Sequence, residues 1–284
     1  MFRLGYITNG LAHHRLPDAL RLLAELGYEA LSITLDVGHL DPYSLGPTEA
    51  GDVRRWAEDL GLALSVETGA RYLLDARRKH RPNLMDTEGQ QRRIDFYRRS
   101  IDLAVELGAP LVSLWSGAAP DGERYEMAGA DPQHPLLAHL ARGLVPVLEH
   151  AAAQGVQLAF EPEPGMFIER PLGYAHLCEH LGKAGDALGL TLDVGHCLVT
   201  GDLPVAQTIR DWAQRLVHVH LDDCAGGVHE HLPFGRGDLD LGSALRALVE
   251  VGFEGIAAVE LSRDAHRGAQ AAEEALAAIR ASLT

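Results

Sequence analysis

Four acidic or imidazole side chains stand at the ends of short apolar runs in the C-terminal half of the chain. They are Glu161, Asp193, His220 and Glu260. Apolar runs of this length are typical of buried strands, and a polar residue at the end of such a strand can reach a ligand while the strand stays in the core. The sequence therefore predicts one site that is assembled from four strand ends.

Three carboxylates and one imidazole form a suitable ligand set for a divalent metal ion. An oxygen-rich set favours Mg²⁺, Mn²⁺ or Co²⁺, and Zn²⁺ is a further candidate whose four-ligand site would have to expand to admit a substrate. A cation would also remove most of the repulsion among three negative charges. We expect one ion, with its remaining coordination positions open to water or to two substrate oxygens.

Each of these residues also has a purely structural interpretation. Asp193 could cap the helix that follows it, and Glu260 could pair with Arg263 in a surface salt bridge. His218 and His220 are two residues apart and share one side of a strand, so a neighbouring residue should hold one of them. Their joint occurrence on successive strands favours the functional interpretation.

A repeated unit of helix, glycine and apolar run predicts the fold. Left-handed glycine can close a helix, and six glycines occupy such junctions: Gly27, Gly61, Gly108, Gly155, Gly189 and Gly252. Eight strands are predicted at residues 3–8, 30–35, 63–67, 111–115, 157–161, 190–193, 216–220 and 256–260. Strands that alternate with helices pair in parallel. Eight units predict an α/β fold, a single (β/α)₈ TIM-barrel domain over residues 1–284.

An open doubly wound sheet is the alternative architecture. It usually has fewer strands and a Gly-x-Gly-x-x-Gly phosphate loop after the first strand, which residues 8–12 do not contain. The helices have the expected spacing: Ile94, Tyr97, Ile101 and Val105 should face the core, with Arg93 among the surrounding arginines. The barrel is therefore preferred.

Two long loops follow predicted strands and should lie on the active face of the barrel, where such loops often act as lids. Residues 71–86 are rich in cations, and residues 224–240 contain His229 and His231. The cations contrast with the acidic chain and could attract a phosphate or carboxylate group. A solvated loop or a subunit contact is the alternative interpretation.

Composition limits the partners. A net charge of −15 over 284 residues disfavours a nucleic-acid partner, because phosphate binding needs a basic face. Three scattered cysteines are too few for a disulfide framework, and neither a signal-peptide pattern nor a membrane-spanning apolar run occurs. We expect a cytoplasmic protein without membrane contact, and a homo-oligomer is compatible with this composition.

The sequence resembles the xylose isomerase-like barrels, which include ketose 3-epimerases, inosose and hydroxypyruvate isomerases and, more distantly, endonuclease IV. The resemblance spans the chain as eight units and is most specific over residues 157–263. It is carried by Glu161-Pro162, Asp193-x-x-His196, His220-Leu221-Asp222-Asp223 and Val259-Glu260. In the sugar-acting branch it implies that Glu161, Asp193, His220 and Glu260 hold one divalent ion. It also implies that Glu161 and Glu260 move protons on opposite sides of the substrate, and that His196 binds a substrate oxygen.

This resemblance implies a sugar isomerase or epimerase of carbohydrate metabolism. Such a reaction removes a proton from a carbon next to a carbonyl, and a metal stabilises the enediolate while carboxylates act as acid and base. The expected substrate is a small polyhydroxy carbonyl compound. Further contacts are predicted at Trp115, as a wall against the sugar, and at Glu67, Arg71, His231 and Arg236.

Two features depart from the sugar epimerases. Their usual arginine, a few residues after the histidine of strand seven, is absent from Ala225, Gly226 and Gly227, so Arg236 is the candidate substitute. The pair His229-x-His231 resembles the loop in which endonuclease IV holds an extra zinc ion, so a second ion here stays open. A lyase acting on a keto-sugar, a phosphodiesterase at abasic DNA and a non-enzymatic binding barrel are the alternative functions.

Overall fold

Eight parallel strands close into a barrel in chain order in the computed structural model, which describes residues 2–46 and 48–283. The strands are β1 Arg3–Ile7, β2 Ala30–Thr34, β3 Ala63–Glu67, β4 Leu111–Leu114, β5 Gln157–Phe160, β6 Gly189–Asp193, β7 Leu216–Leu221 and β8 Ile256–Val259. Strand β1 pairs with β8 and completes the ring. The predicted (β/α)₈ barrel is confirmed, and every predicted strand end lies within one residue of the observed end.

Helices follow the strands, and the longer ones bury an apolar stripe. They are α1 Leu16–Leu26, α2 Glu49–Asp59, α3 Gln90–Leu107, α4 Pro135–Gln154, α5 Pro171–Leu181, α6 Lys183–Asp186, α7 Val194–Thr200, α8 Val205–Trp212, α9 Leu241–Glu250 and α10 Gly268–Leu283. In α1 the buried residues are Leu16, Ala19, Leu20 and Leu23, the spacing of one helical face. Within residues 2–46 and 48–283, no helix has both the length and the apolar character needed to cross a bilayer.

Helix α3 departs from the prediction at two positions. Ile94, Tyr97 and Ile101 are buried as expected, but the Val105 side chain is exposed and Arg93 is fully buried. The Arg93 guanidinium donates from Nε and Nη2 to the main-chain carbonyls of Pro82 and His80 at 2.8 and 3.1 Å, while its buried Nη1 has no hydrogen-bond partner among the described residues. It also lies 5.3 Å from the centre of the Trp115 ring. Burial of this cation therefore orders the segment that precedes the helix.

Five of the six junction glycines have the predicted left-handed conformation, with φ between 67° and 97°. Gly189 does not, and the prediction was wrong there: it is the first residue of β6. The reason for a glycine at this position is close packing, because a Cβ atom on residue 189 would overlap the Val217 side chain. Gly189 thus serves the contact between β6 and β7.

That contact contains an irregularity in register. Leu190 pairs with Leu216, but the next residue, Thr191, pairs with His218, so β7 has one extra residue, Val217, at this point. Extra residues of this kind re-aim the side chains that follow. As a result Asp193 pairs with His220 at the C-terminal end of the barrel.

Two glycine substitutions separate backbone strain from overpacking. Gly155 has φ 69° and no neighbour within 4 Å of a Cβ atom, so Gly155→Ala should cost about 1 kcal/mol through strain alone. Gly189→Ala should cost more, about 1–3 kcal/mol, because the new methyl group would press on Val217. The free energy of unfolding in urea measures both. Wild-type stability of Gly189→Ala would contradict the packing argument.

Candidate functional site

The four predicted metal ligands converge at the C-terminal end of the barrel. One donor atom from each of Glu161, Asp193, His220 and Glu260 lies within 4.8 Å of the others. His220 is at the centre: its Nδ1 atom is 3.0 Å from Glu161 Oε1, 3.1 Å from Glu260 Oε2 and 3.9 Å from Asp193 Oδ2. We call these four residues the metal quartet.

The barrel backbone fixes where each member lies. Glu161 and Glu260 stand one residue beyond β5 and β8, yet their amides donate to the carbonyls of Leu114 and Leu221, so both continue the parallel ladder. Asp193 faces the quartet with Oδ2, while its Oδ1 accepts from the amide of His196 at 2.8 Å and caps α7. The structural interpretation of Asp193 as a helix cap therefore holds, and its second carboxylate oxygen faces the other members of the quartet.

The quartet fits a divalent cation. Asp193 Oδ2 is buried and has no hydrogen-bond partner among the described residues. Burial, and then the charge of Asp222, raise the pKa of Asp193 well above its usual value, and burial raises the pKa of Glu161. Crowded buried carboxylates of this kind are expensive without a counter-charge, which a divalent ion supplies. Three carboxylates and an imidazole match Mg²⁺, Mn²⁺, Co²⁺ or Zn²⁺.

Glu67 orients the imidazole of the quartet. Its Oε1 atom lies 3.3 Å from His220 Nε2 and 2.9 Å from His218 Nε2. Burial alone would raise the pKa of Glu67, but His220 and the hydrogen bond from His218 lower it to about 2, so this carboxylate is an ionised acceptor. With an ion bound, His220 would carry its proton on Nε2, toward Glu67, and its Nδ1 would face the ion as a ligand atom. A carboxylate behind a ligating imidazole raises metal affinity.

Three histidines form a second group of donors beside the quartet. His229 Nε2 is 3.0 Å from His196 Nε2 and 2.8 Å from His231 Nε2. His231 Nδ1 is 2.5 Å from Asp222 Oδ2, and this contact turns its Nε2 atom toward the other rings. Although burial opposes it, the charges of Glu260 and Asp222 raise the pKa of His231 to about 10. We call His196, His229 and His231 the histidine trio.

One buried carboxylate holds the loop that carries two of these histidines. Asp223 accepts hydrogen bonds from the amides of Gly235, Gly237 and Leu239 at 2.9–3.0 Å. A Cβ atom at residue 237 would overlap the Asp223 carboxylate, so glycine is required for this approach. Residues 222–240 are therefore ordered without regular secondary structure, and they present His229 and His231 to the barrel.

A cavity of about 620 Å³ opens above the quartet. It is large enough for a small ligand. Of the predicted site residues, the cavity is lined by Glu67, Arg71, Trp115, Glu161, His196, His220, His231 and Glu260. Asp193 lies beneath this lining. Arg236 does not line the cavity: it is exposed, and its charge acts on Glu274 of α10.

Other lining residues were not among the predicted site residues. They are Asn9, Lys79, Glu163, His229 and Arg263, among others. Asn9 follows β1 and donates from Nδ2 to Glu260 Oε1 at 2.8 Å, so the strand-end rule would have found it. Burial, and then the charge of Glu161, raise the pKa of Glu163 to about 8. Prolines flank Glu163 on both sides, and this pattern does not predict a partly buried carboxylate.

The chain belongs to the xylose isomerase-like TIM barrel family, whose sequence profile matches residues 20–282. Among curated relatives, the rhizopine catabolism protein MocC of Rhizobium meliloti is 32% identical over 140 residues, or 43% of this chain and 42% of MocC. The L-ribulose-5-phosphate 3-epimerase UlaE of Shigella boydii is 25% identical over 258 residues, or 86% of this chain and 81% of UlaE.

A solved structure shares the fold over the full length. The D-psicose 3-epimerase of Clostridium cellulolyticum H10, determined with D-tagatose, superposes with a TM-score of 0.76 at 16% identity, covering 99% of each chain. At this level of identity, the superposition establishes only that the two chains share the barrel fold and are similar in length. The predicted membership of the family is confirmed by the profile match.

Glu67→Gln tests the orienting role of this carboxylate. We expect the affinity for Mn²⁺ or Co²⁺ to fall about tenfold or more, because the imidazole loses a charged acceptor. Calorimetric titration of the metal-stripped chain measures the affinity. Glu169→Gln is the matched control: Glu169 is 8% exposed against 7% for Glu67, but it contacts Arg124 and the amide of Gly165. Unchanged affinity in Glu67→Gln would contradict the assignment.

Proposed function

We propose that this member of the xylose isomerase-like family is a divalent-metal-dependent sugar isomerase or epimerase. The proposal rests on one observation: two carboxylates, Glu161 and Glu260, lie 3.0 and 3.1 Å from the same imidazole nitrogen at the floor of the cavity. Proton removal next to a carbonyl needs an acid and a base so placed. The similarity of most of the chain to UlaE, an L-ribulose-5-phosphate 3-epimerase, supports this reaction class.

The environments of the two carboxyl groups differ. Burial raises the pKa of Glu161. Burial opposes ionisation of Glu260 too, but the charge of His231 and the hydrogen bond from His220 hold its pKa well below the usual value. Pairs whose pKa values are pushed apart divide acid and base work. We therefore assign Glu161 and Glu260 as the acid–base pair that removes and returns the proton, with Asn9 fixing the Oε1 atom of Glu260.

The remaining residues bind and orient the substrate. A divalent ion held by the quartet would supply an electrophile that stabilises negative charge on the substrate oxygens. His196 Nδ1 lies 3.1 Å from the carbonyl of Pro162, so its proton is donated there and Nε2 can accept from a substrate hydroxyl. Trp115 lines the cavity and offers an apolar wall to the sugar ring.

Solvent deuterium exchange tests the proton transfer. In D₂O, a ketose substrate should gain deuterium at the carbon next to its carbonyl, as measured by NMR. Glu260→Gln and Glu161→Gln should each lower kcat by about 10²–10⁴-fold, the usual contribution of general acid–base catalysis. Metal content is measured in the same samples, since both residues also belong to the quartet, and Glu169→Gln is the control. Release of a second product from the sugar would indicate a lyase instead.

The histidine trio favours a second candidate, a phosphodiesterase with more than one ion. One ring nitrogen from each of its three members lies within 4.8 Å of the others, so they could hold an ion of their own. About one Mn²⁺, Mg²⁺ or Co²⁺ per chain, with thermal stability lost on chelation and regained on re-addition, is expected for the sugar enzyme. Two or three zinc ions per chain, with nicking of abasic DNA and no sugar turnover, would contradict the isomerase proposal and support the phosphodiesterase.

A further inference from the structure

We propose that the mouth of the cavity contains an anion subsite, formed by Arg71, Lys79 and Arg263, that binds a phosphate or carboxylate group of the substrate. The inference rests on the proposed sugar chemistry and narrows its substrate class. The substrate would be a sugar whose carbonyl end lies at the metal quartet and whose other end carries a negative charge.

Charge is divided within the cavity. The floor contains the carboxylates of Glu161 and Glu260, whereas three cations line the cavity from two loops. Arg71 and Lys79 come from the segment after β3, and Arg263 from the segment after β8. This cluster stands out in a chain of net charge −15 that has 23 arginines but only two lysines, Lys79 and Lys183.

These cations lack strong acidic partners. Lys79 makes no hydrogen bond or ion pair with the residues that the structure describes, and Arg263 Nη2 contacts only the carbonyl of His229, at 3.0 Å. The carboxylate nearest to Arg71 is Asp36, at 3.9 Å. By contrast Arg78, the neighbour of Lys79 in sequence, pairs with Asp75 at 2.7 Å. The cations that line the cavity therefore keep donors free for a ligand.

The segment that carries two of them is held in place. The amide of His80 donates to the carbonyl of Arg71 at 2.6 Å, which brings the two ends of residues 71–80 together. His80 Nδ1 lies 2.9 Å from the carbonyl of Gly69, and buried Arg93 donates to the carbonyl of His80. Arg71 and Lys79 are thus adjacent in space. Holding charged groups in position before binding reduces the entropy lost on binding.

Arg263 lines the same cavity as Lys79, although the two residues come from distant loops. The Arg263 guanidinium donates to the carbonyl of His229 at 3.0 Å, and His229 is itself a lining residue. The charge of Lys79 opposes the rise in the pKa of Glu163, which also lines the cavity. Two arginines and a lysine around one opening are the donors that phosphate and carboxylate groups prefer.

The floor and the subsite would together orient the substrate. The cations of the subsite attract a terminal anion and hold that end of the substrate at the mouth of the cavity. The uncharged carbonyl end then extends toward the quartet. A neutral sugar would lack this second anchor and would bind more weakly.

Phosphate binding tests the subsite without any turnover. Inorganic phosphate is titrated by calorimetry into the full-length chain, both metal-loaded and metal-stripped, because phosphate could also bind the ion. Lys79→Met should weaken phosphate binding about tenfold, the usual loss for one charge-assisted hydrogen bond. Lys183→Met, which removes the exposed second lysine on α6 outside the cavity, should not. Equal binding by both variants, or none by the wild type, would overturn the subsite.

Turnover identifies the anion. The ratio of kcat/KM for a ketose terminal phosphate to that for the free ketose should exceed about ten and should fall about tenfold in Lys79→Met, but not in Lys183→Met. A keto-uronate is the third substrate tested. A higher kcat/KM for the keto-uronate than for the ketose phosphate would show that the subsite binds a carboxylate group. A preference for the neutral ketose would overturn the subsite and leave the isomerase proposal standing. Phosphate binding that depends on Lys79, without turnover of any sugar, would support the subsite and contradict the isomerase proposal.

Discussion

The site depends on one imidazole that is held from both sides. His220 is buried in β7, with Glu67 on its Nε2 side and the quartet carboxylates on its Nδ1 side. Surrounding carboxylates outweigh burial and raise the pKa of His220 well above its usual value. Buried charges cost several kcal/mol each unless they are paired, so removing either side would leave an uncompensated charge. The apolar contacts between the barrel and its helices must offset what this polar centre costs.

The two long loops are each ordered by one buried charged residue that bonds to main-chain groups. Asp223 collects amides from residues 235–239, and Arg93 donates to the carbonyls of Pro82 and His80. Side chains of opposite charge thus both satisfy main-chain groups of a loop, because the carboxylate accepts from N–H groups and the guanidinium donates to C=O groups. A charged anchor of this kind fixes an irregular loop in place of a helix or strand. The strands therefore define the floor of the cavity, and these two anchors define its walls.

The fold and the convergence of the four quartet residues were predictable because each follows from a local rule. Parallel strands bring their C-terminal ends to one face, so Glu161, Asp193, His220 and Glu260 had to be neighbours once the strands were found. The pairing of Glu67 with His220 was not predictable, since it depends on which side chains meet across the barrel interior. Arg236 could not be placed either, because the direction of an exposed loop side chain is set by tertiary contacts. The buried state of Arg93 was missed because helical spacing does not reveal carbonyl groups that a neighbouring loop supplies.

The extra residue in β7 decides which side of the barrel wall the His220 imidazole faces. Side chains alternate along a strand, so pairing Asp193 with Val219 instead of His220 would turn the imidazole away from the interior. The space next to Val217 is left by Gly189, at the opposite end of β6 from Asp193. Deletion of the single residue Val217 would therefore put the His220 imidazole outside the barrel, away from the quartet carboxylates, without removing any of the four side chains. The length of β7 is thus as much a condition for the site as the residues at the strand ends.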